Sequence, residues 1–111
     1  MEAPKPQIKE ELLLAKQSRL EGNEGRARVC ARRAAGAAVK DYLKKKIGIT
    51  HKQENAIQSL LILAQMETLP ARVQEAVNWL VQRVNQDHNL PPEVDLIHEA
   101  GVVIEYIETD E

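Results

Sequence analysis

Apolar residues recur at three-to-four spacing in several stretches, and nowhere do they alternate with polar ones over the length of a strand. The first stretch predicts a helix over residues 7–21, with Ile8, Leu12, Ala15 and Leu20, joined by Leu13 and Leu14, as its apolar stripe. Gly22-Asn23 interrupts it, and Asn23 is placed to cap a second helix over residues 24–46. The stripe of that second helix is small: Ala27, Cys30 or Ala31, Ala34, Ala38, then Tyr42, with Gly36 inside. A helix with no bulk on one side admits close neighbours, so it is expected at the centre of the molecule, with Ile47-Gly48 closing it. Thr50-His51-Lys52-Gln53 has the spacing of a capping box, and Ile57, Leu60, Leu61 and Ala64 are the expected stripe of the helix behind it.

Thr68-Leu69-Pro70 opens a fourth helix with Pro70 in its first turn and Val73, Ala76, Val77, Leu80, Val81 and Val84 inward. A polar segment, Asn85 to Asn89, follows. Pro91-Pro92 restarts the chain as a fifth helix, with Glu93 and Asp95 in its first turn and Leu96, Ile97, Ala100, Val103, Ile104 and Ile107 inward. The expected fold is therefore all-α, an up-down bundle of about five helices with mostly antiparallel neighbours. Residues 7–108 form its single domain, behind a disordered leader at 1–6 and ahead of an acidic tail at 109–111.

Composition narrows the function classes. Aromatics are 3% of the 111 residues, so the core is aliphatic and the chain lacks the exposed rings on which nucleic-acid bases stack. The net charge of -2 excludes a generically basic nucleic-acid binder but hides an asymmetry. Arg26, Arg28, Arg32, Arg33, Lys40, Lys44, Lys45 and Lys46 lie in a stretch with one acid, Asp41, whereas no Lys or Arg follows Arg83. Basic and acidic parts could pair head to tail in a dimer, the basic part could attract an anion, or both could be solvated helix faces. Cys30 is the one cysteine, which fits a reducing cytosol and reads as small core packing rather than a reactive thiol. No apolar run approaches the roughly 20 residues of a membrane span, no signal peptide is recognisable, and a cytoplasmic location is expected.

His51, His88 and His98 are far apart, and neither a metal constellation nor a glycine-rich phosphate loop is legible, so no cofactor or metal is expected. The candidate chemistry lies in Arg83-Val84-Asn85-Gln86-Asp87-His88. A guanidinium holds a phosphate through a two-pronged fork. An imidazole moves a proton near neutral pH. Arg83 is expected in the last turn of the fourth helix and His88 in the loop beyond; the plain alternative is a cation answering the helix dipole beside a surface His.

Ala31-Arg32-Arg33-Ala34-Ala35-Gly36-Ala37-Ala38-Val39-Lys40-Asp41-Tyr42-Leu43 resembles the second-helix signature of the HEPN family, small all-α domains of prokaryotes and higher eukaryotes. Lys40 to Leu43, the Ile47-Gly48 link and the final helix from Glu99 to Ile107 are similar too, and the resemblance spans roughly residues 8–107. Many members carry an Arg, four to six residues, then a His between their last two core helices, where Arg83 and His88 stand. The resemblance implies a metal-independent endoribonuclease composed across a homodimer. His88 would act as base on the ribose 2′-hydroxyl or acid on the leaving oxygen, and Arg83 would hold the scissile phosphate. Val84 follows the Arg where ribonuclease members often have a polar residue, and Asn85 or Asp87 is the candidate for that supporting role. Family members often occur as toxins beside a small nucleotidyltransferase-like antitoxin. Others lack the activity and serve as helical modules for dimerisation or for partner or nucleotide binding.

Overall fold

The structure is a computed structural model that describes residues 6–48, 56–82 and 94–110. Those residues form helices α1 (Pro6–Leu20), α2 (Glu24–Ile47), α3 (Ala56–Ala64), α4 (Ala71–Val81) and α5 (Leu96–Asp110), with no strand among them. The fold is an all-α bundle. Residues 1–5 and 111, and with them the ends of the expected leader and tail, lie outside the described residues, as does the Thr50–Gln53 capping box.

A Schellman turn ends α1. The N–H of Asn23 donates to Ser18 at 2.8 Å, that of Gly22 donates to Arg19 at 3.0 Å, and Gly22 takes the left-handed φ of 82° that the motif requires. The Asn23 side chain then caps α2 by accepting from the N–H of Arg26 at 3.1 Å, as its position predicts. Gly48, at φ 70°, closes α2 with its N–H on the carbonyl of Lys44.

The small stripe of α2 is buried as expected, with Ala27, Cys30, Ala31, Ala34, Ala38 and Tyr42 inside, and Ala35, Val39 and Leu43 are buried beside it. Helices α1, α3 and α5 pack against it, so α2 is the centre of the bundle. Ion pairs Arg19–Glu24 and Glu11–Arg33 show α1 and α2 running antiparallel. Along α2 and α5 the contacts instead advance together. Arg19, beside the start of α2, bonds Asp95 at the start of α5, and Tyr42 meets Tyr106 edge to face at 6.3 Å further on. These two neighbours run in the same sense, unlike the antiparallel pairing expected of most. Helix α4 joins them: Arg72 at its start grips the buried Glu99 of α5 with two bonds of 2.8 and 2.9 Å, which raises the guanidinium pKa, and its end meets Arg32 of α2.

Several expected faces are rotated. In α1, Leu13 and Leu20 are 65% and 88% exposed, and Ser18 takes the buried place after Ala15. Ser18 lies three residues beyond Ala15, on its face, whereas Leu20 lies five beyond and about 140° around. In α3, Ser59, Leu60 and Leu63 are buried while Leu61 is 45% exposed, a face about one residue away from the expected one. The run Leu60-Leu61-Ile62-Leu63 is apolar all round, so periodicity does not select its inner side. Helix α4 buries Val73, Ala76, Val77 and Leu80 as expected, but Val81 is half-buried and Pro70 precedes the first turn. Helix α5 starts at Leu96 rather than after the prolines. Asp95 caps it from outside, accepting from the N–H groups of Ile97 at 3.0 Å and His98 at 3.3 Å. Leu96, Ala100, Val103, Ile104 and Ile107 face the core, and Ile97 is half-buried.

The two leucines of α3 test this register. Leu63→Ala should cost about 2–5 kcal/mol by opening a cavity, and Leu61→Ala less than about 0.5 kcal/mol, measured by urea unfolding. Equal costs would contradict the observed face.

Candidate functional site

Helix α4 ends at Val81 and Gln82 is extended, with ψ 110°, so the helix stops short of Arg83, which was expected in its last turn. Arg32 takes the carbonyls at this end. Its Nε donates to the carbonyl of Leu80 at 2.8 Å and its terminal nitrogen to that of Gln82 at 3.3 Å. Those are groups a helix end leaves without partners. Arg83, Val84, Asn85, Asp87 and His88 lie outside the described residues, and so do Glu93 and the two prolines.

What the structure describes is how both ends of that segment are held. At its start is the Arg32 clamp. At its end is Asp95, whose carboxylate caps α5 and also accepts from Arg19 at 2.9 Å. Arg19 reaches across from the last turn of α1 and binds both oxygens of Glu24, at 2.9 and 2.8 Å. Glu24, Arg28 and Arg32 stand four residues apart on one stripe of α2. A ladder of charge thus runs from Asp95 through Arg19 and Glu24 to Arg28, alternating in sign, and then to Arg32, a like charge one turn on, which ends on α4.

The charges along the ladder are unequal. The Arg19 hydrogen bond holds the Glu24 carboxyl below its ordinary pKa of 4.5 against the opposing effect of burial. Burial works against ionisation of Asp95, but the bond from Arg19 and the N–H groups of His98 and Ile97 outweigh it and its pKa is lowered too. The Arg19 pKa is raised, chiefly by the bond to Glu24. Arg32 differs: burial lowers its pKa, and the neighbouring charge of Arg28 adds to the effect. Arg28 lies 3.6 Å from Glu24, and its Nε is buried with no hydrogen-bond acceptor.

Away from this ladder, the exposed face of α2 carries Arg26, Arg33, Lys40 and Lys44 and no acid, over about 27 Å at 1.5 Å per residue. Only Arg33 among these four has an ion pair with a described residue, Glu11 at 3.9 Å. This face suits a polyanion. Cys30 is buried. Among the described residues no three His, Cys, Asp or Glu side chains converge as metal ligands, and no helix is long and apolar enough to cross a membrane.

In the sequence the basic stretch is visible as an excess of positive charge, without partners assigned to its individual arginines. The four-residue spacing of Glu24, Arg28 and Arg32 was the available signal for a common stripe, but nothing in the sequence tied Arg19 to Asp95 or Arg32 to the end of α4. Comparison with family models, with curated proteins and with solved structures finds no match to the chain.

The ladder makes stability acid-sensitive. Glu24 and Asp95 are more acidic folded than unfolded, so their contribution is complete above their unfolded pKa values and is lost as pH falls through the lower, folded ones. The melting temperature should therefore drop as pH falls below about 4.5. Arg19→Gln should cost about 1 kcal/mol at pH 7, a modest figure because the pairs are partly exposed, and should make that acid limb shallower. Melting curves of parent and variant that stay parallel from pH 7 to pH 3 would show that the ladder does not carry the effect.

Proposed function

We propose that the chain is a HEPN-like, metal-independent endoribonuclease, toxin-like in kind, whose Arg83 and His88 act in a site composed across a homodimer. The observation that carries this reading is the arginine ladder. The segment bearing Arg83 and His88 leaves α4 at a carbonyl pair clamped by Arg32 and rejoins the bundle at the Arg19–Asp95 bond. Cationic side chains therefore flank both ends of a segment that contains a phosphate-binding and a proton-transferring residue. The cationic face of α2 gives the backbone of an RNA a place to lie.

In this reading His88 removes the proton of a ribose 2′-hydroxyl. The 2′-oxygen attacks phosphorus and the bond to the 5′-oxygen breaks. The products are a 2′,3′-cyclic phosphate and a 5′-hydroxyl end. The leaving oxygen takes a proton from a general acid, a role open to His88 of the second copy. Arg83 neutralises the charge that grows on the phosphoryl oxygens, and Asn85 or Asp87 orients the pair. A nucleotidyltransferase-like antitoxin would be the natural inhibitor.

A second reading, a helical module without catalysis that dimerises or binds a partner or nucleotide, draws on α1. Leu13 and Leu20 stand seven residues apart on one face and no described element covers them. Such a pair offers a seam to another helix, and the same seam could hold the dimer that the ribonuclease needs.

Cleavage of single-stranded RNA in excess chelator tests the first reading. His88→Ala should lower kcat about 10²–10⁴-fold and Arg83→Ala by about 10²–10³-fold, without loss of helical circular dichroism. Undiminished cutting by His88→Ala would remove the catalytic assignment. Sedimentation tests the seam: Leu13→Glu with Leu20→Glu should weaken self-association at least about tenfold, roughly 1.4 kcal/mol. An unchanged dimer would place the contact elsewhere.

A further inference from the structure

Gly101 stands in the middle of α5 with no reason for a glycine inside the protomer. Among the described glycines Gly22 and Gly48 have positive φ, so no left-handed turn calls for glycine at 101. A Cβ built there would meet nothing within 4 Å. Alanine would therefore fit, and it would hold the helix better, because glycine loses more chain entropy on folding. What glycine allows and alanine does not is the close approach of another backbone from outside. The residues around it form a face. His98, Gly101, Val102 and Glu105 lie within about 100° of one another around the helix. His98 and Glu105 are exposed, with Gly101 and Val102 half-buried between them. No described residue bonds the side chain of His98 or of Glu105; the His98 contact to Asp95 is made by its backbone N–H.

The order of these four residues matches itself. If two copies of α5 cross antiparallel about a two-fold axis between Gly101 and Val102, each His98 stands opposite the partner's Glu105. Each Gly101 then stands opposite the partner's Val102. Two imidazole–carboxylate pairs bracket two places where an isopropyl group enters the notch over a glycine. Further out, Glu108 falls opposite the partner's Asp95, a carboxylate that Arg19 matches within each protomer. We propose that this face of α5 is an interface between two copies of the chain, packed antiparallel about Gly101. The assignment rests on the homodimer of the proposed function and gives it a face, but it does not depend on catalysis. It lies on a different helix from the Leu13–Leu20 seam. Each face has variants of its own, so sedimentation assigns the dimer to one of them.

The test is sedimentation equilibrium of the full chain, without RNA, over a range of concentrations. One pair of helices is a small contact, so the dimer should dissociate on dilution. Gly101→Leu fills the notch and should weaken the dimer at least about tenfold. The same variant should raise the melting temperature of dilute, monomeric protein, because the new side chain meets open space and leucine is the better helix former. A lowered melting temperature would instead make Gly101 a residue needed for folding and overturn its role in docking. His98→Glu sets a carboxylate against the partner's Glu105 at both ends and should weaken the dimer at least about fivefold. Adding Glu105→Lys restores opposite charges across the interface and should bring affinity back to within about threefold of the parent. Positions 98 and 105 are about 10 Å apart along one helix, so this rescue does not arise inside a protomer. A double variant as weak as His98→Glu alone would overturn the antiparallel pairing. A parent that is monomeric at every concentration would overturn the proposal outright, as would a dimer that Gly101→Leu and His98→Glu both leave unchanged. If these variants dissolve the dimer while the parent cuts no RNA, the interface stands and the catalytic reading alone falls.

Discussion

Helix α2 has to bury a surface made almost entirely of methyl groups, and the rest of the bundle is arranged around that requirement. Alanines exclude water only when the neighbouring helix comes close, because there is no side chain long enough to bridge a gap. Ala27, Ala31, Ala34 and Ala35 are fully buried, with Cys30 and Ala38 nearly so, and three helices share the task of covering them. Larger residues enter the buried surface toward the end of α2, at Val39, Tyr42 and Leu43. Bulk is supplied from outside instead, by Leu60 and Leu63 of α3, Leu80 of α4 and Leu96 and Val103 of α5.

Close packing of α2 on several sides fixes where its long cationic side chains go. Arg28 and Arg32 emerge at the edge of the packed surface, half-buried, and cannot all reach water. Each therefore needs an acceptor from a neighbouring helix. Arg32 finds two in the carbonyls that end α4. Glu24 is taken by Arg19, which also ties down Asp95. The same contacts that satisfy these charges set the two ends of the segment carrying Arg83 and His88 against α2. Arg28 lies 3.6 Å from Glu24, one turn back on the same helix.

Much of this was legible in the chain. Caps and breaks were clear where a single residue type has one physical job: Asn23 as a side-chain acceptor, Gly22 and Gly48 as left-handed positions. The core face of α5 was clear because its apolar residues recur cleanly, at 96, 100, 103, 104 and 107. The face of α3 was not, because four apolar residues in a row point in every direction. In α1, Leu20 drew the eye by its size, although Ser18 has the right angle around the helix and hides its hydroxyl. Asp95 was legible as an acid near a helix start but not as a cap joined to Arg19, since the partner lies 76 positions away. The ladder itself needed the packing of α1, α4 and α5 to become visible, for ion pairs between distant segments leave no periodic trace. The Arg83–His88 motif rests on spacing and resemblance, and it lies outside the described residues.

The account stands on the claim that RNA phosphate is received where α4 ends and α5 begins, against the arginine stripe of α2. Amide and arginine side-chain resonances of isotopically labelled protein, titrated with a 2′-O-methyl oligonucleotide that cannot be cleaved, test it most directly. The account predicts that shifts concentrate at Leu80 to Gln82 and at Asp95 to His98. Shifts confined to α1, or scattered evenly over the surface, would contradict it.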